Sequence, residues 1–307
     1  MSSTMQFDAM DEAEPGRKWA GRWRDTWPAY EAWFRARGGD AGPSRIDCED
    51  ALARHMPELI VPYRQLTTLA GGGDRAARFL SGWRPPTYLG GCSIAARAQG
   101  GEVRLVRNYD LSPDLNEGLL WRSALTTAPV MGMVEFLWGL SDGVNARGLS
   151  VALAYGGSSE TGAGFGVTHI LRYLLETCGT VDEALAALRR IPSHMAYNVT
   201  LADRFGATAT AELRPGGGVV IGASAVAANH QSGARAPDRA ARTQTYERLT
   251  HLADLLRQDL APADLAPAFL KQPLRQTDYA GAFGTLFTAE YDPKRGALTL
   301  HWPEQTW

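Results

Sequence analysis

The sequence predicts an α+β protein in which two antiparallel sheets lie between layers of helices. Three observations lead to this class. The front of the chain has helical periodicity, and the rest follows the order strands, helices, strands, helices, strands. The strand-like segments are joined by short glycine-containing turns, which are typical of antiparallel neighbours. With 307 residues, 45% of them hydrophobic, the chain can bury a full core.

The helical front extends from about Lys18 to Leu80. Apolar residues recur there at helical spacing, as in WPAYEAWFRA and EDALARHMPELIVPYRQL. A turn-rich stretch leads into Cys92, and Pro85 and Pro86 exclude a helix just before this cysteine. We therefore expect a helical N-terminal region at 1–91 and an α+β domain at 92–307.

The first half of the second region contains strands and then helices. CSIAARA and EVRLVRNYD predict a hairpin with the turn QGG, and VMGMVEFLWGL and GLSVALAYGG predict two more strands linked through SDGVNAR. Two helices should follow, GVTHILRYLLETC and TVDEALAALRRI. Thr180 is suited to cap the second of them, with Glu183 completing a capping box.

The second half repeats this order. YNVTLADRFG, ATATAEL and VVIGASAVAANH are strand-like. A long helix is expected from about Arg239 to Leu256 and a short one from about Pro262 to Leu270. TLFTAEYDPKRGALTLHW predicts a final hairpin.

Composition excludes several classes of function. A formal charge of -2 gives no basic excess for nucleic-acid binding. No apolar run resembles a secretory signal or approaches the roughly 20 residues that span a bilayer, so we expect a cytoplasmic protein without a membrane partner. Three cysteines and six histidines form neither a CxxC pair nor an HExxH motif, so we expect no metal site and no disulfide framework.

Cys92 is the strongest candidate for chemistry. It begins a predicted strand, and Arg107 and Asp110 arrive on the next strand of the same hairpin. A nearby arginine lowers the pKa of a thiol because the cation stabilises the thiolate. Asp110 could hold an amine or fix the arginine. The alternatives are that Cys92 is a buried small hydrophobe and that the Arg-Asp pair is structural.

The residues also resemble a known family. GGCSIAA, VRNYD, DGVNARGLSVALAYGG, ETCGTVDEALAAL, TLADRFGATATAEL and AANHQ occur in the order seen in the isopenicillin N acyltransferase family, also called acyl-CoA:6-aminopenicillanate acyltransferase. The sequence is more distantly similar to the choloylglycine hydrolases. Both belong to the N-terminal nucleophile hydrolases, whose fold is an αββα sandwich. The resemblance runs from about Tyr88 to His301.

The resemblance implies that the chain cuts itself between Gly91 and Cys92. Cys92 then becomes an N-terminal nucleophile whose own α-amine, with an unperturbed pKa of about 7.7 to 8.0, serves as general base. By the same resemblance, Asp110 orients that amine, Arg107 stabilises the thiolate, and Asn229 donates to the oxyanion.

Two further positions are assigned less directly by the resemblance. Relatives that cleave bile salts carry Asn where this chain has Ala154, so the backbone N–H of Tyr155 is expected to supply the second oxyanion donor. The family also uses a late arginine. Arg248 is our choice and Arg242 the reserve.

These implications predict an autoprocessing cysteine amidohydrolase or acyltransferase. Its substrate would be a small acyl amide or thioester, with no bound cofactor and with acyl-CoA as an alternative acyl donor. We expect an αβ heterodimer after cleavage and leave higher homo-oligomers open. Two alternatives are an unprocessed, catalytically silent relative that binds a ligand or partner, and a thiol hydrolase that pairs Cys92 with His194 or His230.

Overall fold

The computed structural model describes residues 5–88, 90–233, 237, 239–303 and 305–306. The strands in this part of the chain are β1 Asp8–Asp11, β2 Gly91–Gln99, β3 Glu102–Leu111, β4 Leu119–Ser123, β5 Val130–Glu135, β6 Gly139–Asn145, β7 Leu149–Tyr155, β8 Tyr197–Asp203, β9 Thr208–Leu213, β10 Val219–Ile221, β11 Val226–Ala227, β12 Thr277–Asp278, β13 Phe283–Asp292, β14 Ala297–Trp302 and β15 Gln305–Thr306.

Helices precede and separate these strands. The α-helices in the described residues are α1 Arg17–Ala36, α2 Arg45–His55, α3 Ile60–Leu69, α4 Asp74–Ser81, α5 Val167–Thr177, α6 Val181–Arg190, α7 Ala240–Thr243, α8 Thr245–Arg257 and α9 Leu265–Phe269. Short 3-10 turns lie at Gly39–Ala41, Pro57–Leu59, Pro113–Leu115 and Pro262–Asp264.

The strands form two sheets. The first has the order β1-β4-β5-β6-β7-β8-β9-β10, and the second has the order β11-β2-β3-β13-β14-β15 with β12 paired to β13. Neighbours are antiparallel except for β1, which runs parallel to β4. Strand β1 can pair in parallel with β4 because a long helical segment connects the two strands, and parallel neighbours require a long connection.

The two sheets pack face to face between helices. Strands β2 and β3 of the second sheet lie against β7 and β8 of the first, burying a cluster that includes Cys92, Ile94 and Ala152. Helices α5 and α6 cover the outer face of the first sheet, and α8 and α9 cover that of the second. This αββα arrangement confirms the predicted fold class.

The N-terminal region is helical, as predicted, and it shares a core with the first sheet. Trp19 and Trp23 of α1 pack in the same apolar cluster as Trp121 and Leu140. The indole N–H of Trp19 donates to the Leu137 carbonyl at 2.9 Å. Strand β1 adds an edge to the first sheet, so residues before Cys92 contribute both a strand and core side chains.

The predicted strands need three corrections. SDGVN, expected as a link, lies within strand β6, where every residue is buried. Strands β1 and β4 were not predicted because each is short and lies on the edge side of the sheet. VVIGASAVAANH forms two short strands, β10 and β11, that belong to different sheets.

Two helix predictions also change in detail. The helix expected from about Arg239 to Leu256 is divided by Gln244, whose φ of +47° is incompatible with a continuous right-handed helix. Thr180 caps α6 by accepting from the Glu183 N–H at 3.2 Å, as predicted. The Glu183 carboxylate instead accepts from Gly179 N–H at 2.6 Å, so the capping box is shifted by one residue.

Among the described residues, no helix is both long enough and apolar enough to cross a membrane.

Candidate active site

The β2–β3 hairpin brings the candidate nucleophile and its partners together. Gly100 and Gly101 form its turn with φ of 60° and 81°, a conformation that glycine adopts without strain. The turn sets a register in which Cys92 faces Tyr109 and Gly91 faces Asp110. Because side chains alternate along a strand, Arg107 lies on the same face as Cys92, whereas Asp110 lies on the opposite face.

Arg107 joins the thiol to a buried carboxylate. Its Nη2 donates to Cys92 Sγ at 3.0 Å and its Nη1 donates to Asp142 Oδ2 at 2.6 Å. The guanidinium carbon lies 4.4 Å from the centre of the Tyr109 ring. Asp142 is held in turn by the Tyr291 hydroxyl, which donates to Oδ1 at 2.9 Å. The cation is therefore fixed in direct contact with the sulfur.

Burial and charge act in opposite directions on this thiol. Cys92 is 1% exposed, and burial raises the pKa of its thiol to about 11, although the Arg107 cation lowers it. Cys92 is therefore mainly the protonated thiol at neutral pH. Arg107 supplies the stabilisation available to a thiolate once the proton leaves.

A second buried arginine lies behind Cys92. Arg248 Nη1, from α8, donates to Asp110 Oδ2 at 2.9 Å, to the Cys92 carbonyl at 3.0 Å and to Ser93 Oγ at 2.9 Å. The other Asp110 oxygen accepts from Thr285 Oγ1 at 2.7 Å. This network fixes the backbone of Cys92 from the side opposite the thiol.

Asn229 contacts the backbone nitrogen of Cys92. Its Oδ1 accepts from Cys92 N–H at 3.3 Å and from Arg248 Nη2. Its Nδ2 donates to the Tyr155 carbonyl at 3.2 Å, and its own backbone N–H donates to Thr245 Oγ1 at 2.7 Å. Tyr155 thus lies beside Asn229, and the Tyr155 atom that contacts the Asn229 amide is the carbonyl oxygen.

Gly91 has no room for a side chain. A Cβ built on it would lie 2.4 Å from Phe283 Cε2 and 3.4 Å from Asp110 Cβ. Because residue 91 is glycine, it has no side chain that could shield its carbonyl. The buried Phe283 ring bounds the space beside it.

The reserve arginine and the two histidines have contacts elsewhere. Arg242 is exposed and donates to the Gly281 carbonyl. His194 Nδ1 lies 2.6 Å from the Gly162 carbonyl oxygen, and His230 Nδ1 lies 2.8 Å from Thr245 Oγ1. The described residues that line the cavity at Cys92 include no histidine. The geometry therefore favours Arg248 over Arg242 and gives no support to a Cys-His pair.

A cavity of about 320 Å³ opens at Cys92. Helix α1 forms one wall through Tyr30 and Trp33, and the ends of strands β5, β7 and β8 form the others. The N-terminal region therefore helps to enclose the space next to the thiol. This volume is suited to a small molecule.

Sequence reasoning missed Asp142 and Thr285. Asp142 is a carboxylate inside a fully buried strand, and such a residue needs a charged or hydrogen-bonding partner. That pattern could have drawn attention to it. Thr285 carries no comparable signal, because only the pairing of β13 with β3 sets it opposite Asp110.

Sequence comparison identifies the family. Residues 97–307 match the profile of the family described as acyl-coenzyme A:6-aminopenicillanic acid acyl-transferase, and this range is more than half of the 307-residue chain. The chain belongs to this family. The family is described by an acyl-transferase activity. The matched range begins five residues after Cys92, so the roles of Gly91 and Cys92 depend on the motifs and the geometry.

Solved structures with a similar fold include a bile acid hydrolase and a penicillin acylase. A mutant of the conjugated bile acid hydrolase from Clostridium perfringens is 14% identical with a TM-score of 0.46, and the match covers 71% of this chain and 91% of that one. Penicillin V acylase from Agrobacterium tumefaciens is 15% identical with a TM-score of 0.44, over 70% and 83% of the two chains. A comparison with curated proteins finds no match.

Proposed function

We propose that the chain is an autoprocessing cysteine amidohydrolase or acyltransferase with Cys92 as its nucleophile. The observation that carries the proposal is the 3.0 Å contact from Arg107 to the Sγ of Cys92, which lines a cavity. A buried thiol that only fills space does not need a fixed cation at its sulfur. Family membership supports the same chemistry.

The first reaction is self-cleavage. Cys92 Sγ attacks the Gly91 carbonyl carbon, the Gly91–Cys92 C–N bond breaks, and the nitrogen takes up a proton to become the Cys92 α-amine. Water then hydrolyses the thioester, giving a Gly91 carboxylate and a free thiol. Two observations support this step. The absence of a side chain at Gly91 leaves its carbonyl open to attack, and the Arg248 contact to the Cys92 carbonyl holds the backbone of the nucleophile in place.

The second reaction is acyl transfer from substrate. The new α-amine accepts the thiol proton, Sγ attacks the amide carbonyl, and the leaving amine departs with that proton. Water or a second amine then attacks the thioester and releases the acyl group. Hydrolysis of a small N-acyl amide is our first choice, with transfer from or to a thioester such as acyl-CoA as the alternative outcome.

Each supporting residue has a defined proposed role. Arg107 stabilises the thiolate, and Asp110, held by Arg248 and Thr285, orients the α-amine together with Asn229 Oδ1. For Asn229 to stabilise the oxyanion, its Nδ2 must give up the hydrogen bond to the Tyr155 carbonyl and donate to the substrate oxygen instead. A single donor of this kind contributes about 3 kcal/mol to transition-state stabilisation.

The deciding experiment is the intact mass of the purified wild-type protein beside Cys92→Ala. We expect wild type to yield two chains, 1–91 and 92–307, and the variant to remain uncut. Gly91→Ala should cleave more slowly than wild type, since the added methyl meets Phe283. A wild-type chain that stays single after prolonged incubation would contradict autoprocessing and favour a silent, ligand-binding relative.

A further inference from the structure

The cavity at Cys92 carries more negative than positive charge. Its lining includes the acidic side chains of Asp114, Glu117 and Glu135 and one basic side chain, Arg22. Arg22 is already engaged, because it donates to the Glu117 carbonyl and lies 3.5 Å from Asp8 Oδ2. A cavity lined in this way favours a cationic over an anionic ligand.

The Glu135 carboxylate accepts no hydrogen bond from the described residues. It ends strand β5, lines the cavity, and has a buried Oε1 without a hydrogen-bond donor among the described residues. Glu117 also has a buried Oε1 without a donor among the described residues, but its Oε2 accepts from the Tyr30 hydroxyl at 2.8 Å and from Leu137 N–H at 3.3 Å. An unpaired buried carboxylate oxygen is unfavourable, and a donor from a ligand would satisfy it.

Aromatic rings surround the same part of the cavity. The ring centres of Tyr88 and Phe136 are 4.6 Å apart, those of Tyr88 and Tyr197 are 5.8 Å apart, and those of Tyr155 and Tyr197 are 6.0 Å apart. All four residues line the cavity. The face of an aromatic ring attracts a cation through the ring quadrupole. This attraction adds to the electrostatic attraction of a carboxylate.

We infer that the substrate of this chain carries a cationic amine remote from its scissile carbonyl, which Glu135 and the aromatic wall bind while the carbonyl lies at Cys92. The inference rests on the proposed function, because it assigns the amide cleaved at Cys92 to a class. A primary ammonium group would donate to the free Oε1 of Glu135 and would contact the Tyr88 and Phe136 rings.

The titration of Glu135 is consistent with this role. Burial raises the pKa of its carboxyl to about 7, with Arg107 lowering it and Asp142 raising it. The tyrosines that feel its charge are Tyr30, Tyr88 and Tyr197. Because the charged carboxylate is the form that binds a cation, affinity for an amine should fall as the pH drops below 7. A bound ammonium would itself lower the pKa of Glu135.

The test compares two probes that differ in charge. We would titrate the wild-type protein at pH 8 with hexylamine and with 1-hexanol by calorimetry, and repeat both with Glu135→Gln. Hexylamine should bind at least tenfold more tightly than hexanol to wild type, and the ratio should fall to within twofold in the variant. Glu102→Gln removes the same charge at an exposed position of the β2–β3 hairpin and should keep the wild-type ratio.

Equal binding of both probes, no measurable binding of hexylamine, or a preference that survives Glu135→Gln would each overturn the inference. Thermal melting of Glu135→Gln confirms that the variant is folded. Turnover separates the two proposals. Cys92-dependent release of p-nitroaniline from 6-aminohexanoyl or hexanoyl p-nitroanilide tests the nucleophile, whereas the amine-to-alcohol binding ratio tests Glu135 without requiring turnover.

Discussion

The Arg248 guanidinium donates to the Asp110 carboxylate at 2.9 Å, and both side chains are fully buried. Arg248 also contacts the Cys92 carbonyl, so this ion pair connects helix α8 to the backbone of strand β2 at Cys92. Neither residue can lose its partner without leaving a buried charge unpaired. The pair is therefore expected to matter for folding as well as for the site.

Arg248→Met should destabilise the protein and prevent cleavage. Removing one member of a buried ion pair costs about 3–5 kcal/mol, and the variant also loses the contact to the Cys92 carbonyl. Urea unfolding and intact mass measure the two effects. Arg242→Met is the matched control because Arg242 is exposed, and it should behave as wild type. Equal loss in both variants would contradict the assignment of Arg248.

Arg107→Gln should make the Cys92 thiol less reactive. The cation opposes the effect of burial on the pKa of Cys92, so its removal raises that pKa further and decreases the thiolate fraction at a given pH. We expect iodoacetamide to label Cys92 at least tenfold more slowly at pH 8. Labelling is followed by mass spectrometry. Arg97→Gln, on strand β2, is the control. An unchanged rate would show that Arg107 does not stabilise the thiolate.

Self-cleavage should accelerate with pH. With the pKa of the Cys92 thiol at about 11 in the uncut chain, the thiolate fraction increases about tenfold per unit between pH 6 and 9. Amide hydrolysis by the cleaved form should instead level off near pH 8, since its base is the α-amine. Stopped time courses on denaturing gels give the first profile. A cleavage rate independent of pH would indicate that thiol ionisation does not limit the reaction.

The two chains should stay together after cleavage. Strand β1 pairs with β4 through four residue positions, and Trp19 is completely buried. Size-exclusion chromatography should give one peak that contains both chains, which separate only in denaturant. Trp19→Ala should lower stability by about 3–5 kcal/mol and promote loss of the small chain. The exposed Ile46→Ala is the control and should leave the complex intact. Spontaneous separation of the wild-type chains would contradict this expectation.

Local patterns in the sequence determined most of the helices, the β2–β3 hairpin and the α+β class. Such features depend on neighbours along the chain, through periodicity, caps and turns, so they can be predicted from one sequence. For the same reason, the sequence alone can indicate that Arg107 and Asp110 lie near Cys92 across the hairpin. A two-glycine turn sets how residues on the two strands face each other.

Other features required the tertiary structure. Asp142 contacts Arg107 from another sheet, and Thr285 contacts Asp110 from a strand 175 positions later. Arg248 is distinguished from Arg242 by its contact with Asp110, whereas Arg242 contacts the Gly281 carbonyl. Strand β1 and the cavity wall from α1 depend on how the N-terminal region folds over the first sheet. Contacts between distant segments depend on packing, and packing leaves no local pattern. The sequence by itself predicted the candidate nucleophile Cys92 and its hairpin, and the tertiary structure decided which residues contact and enclose them.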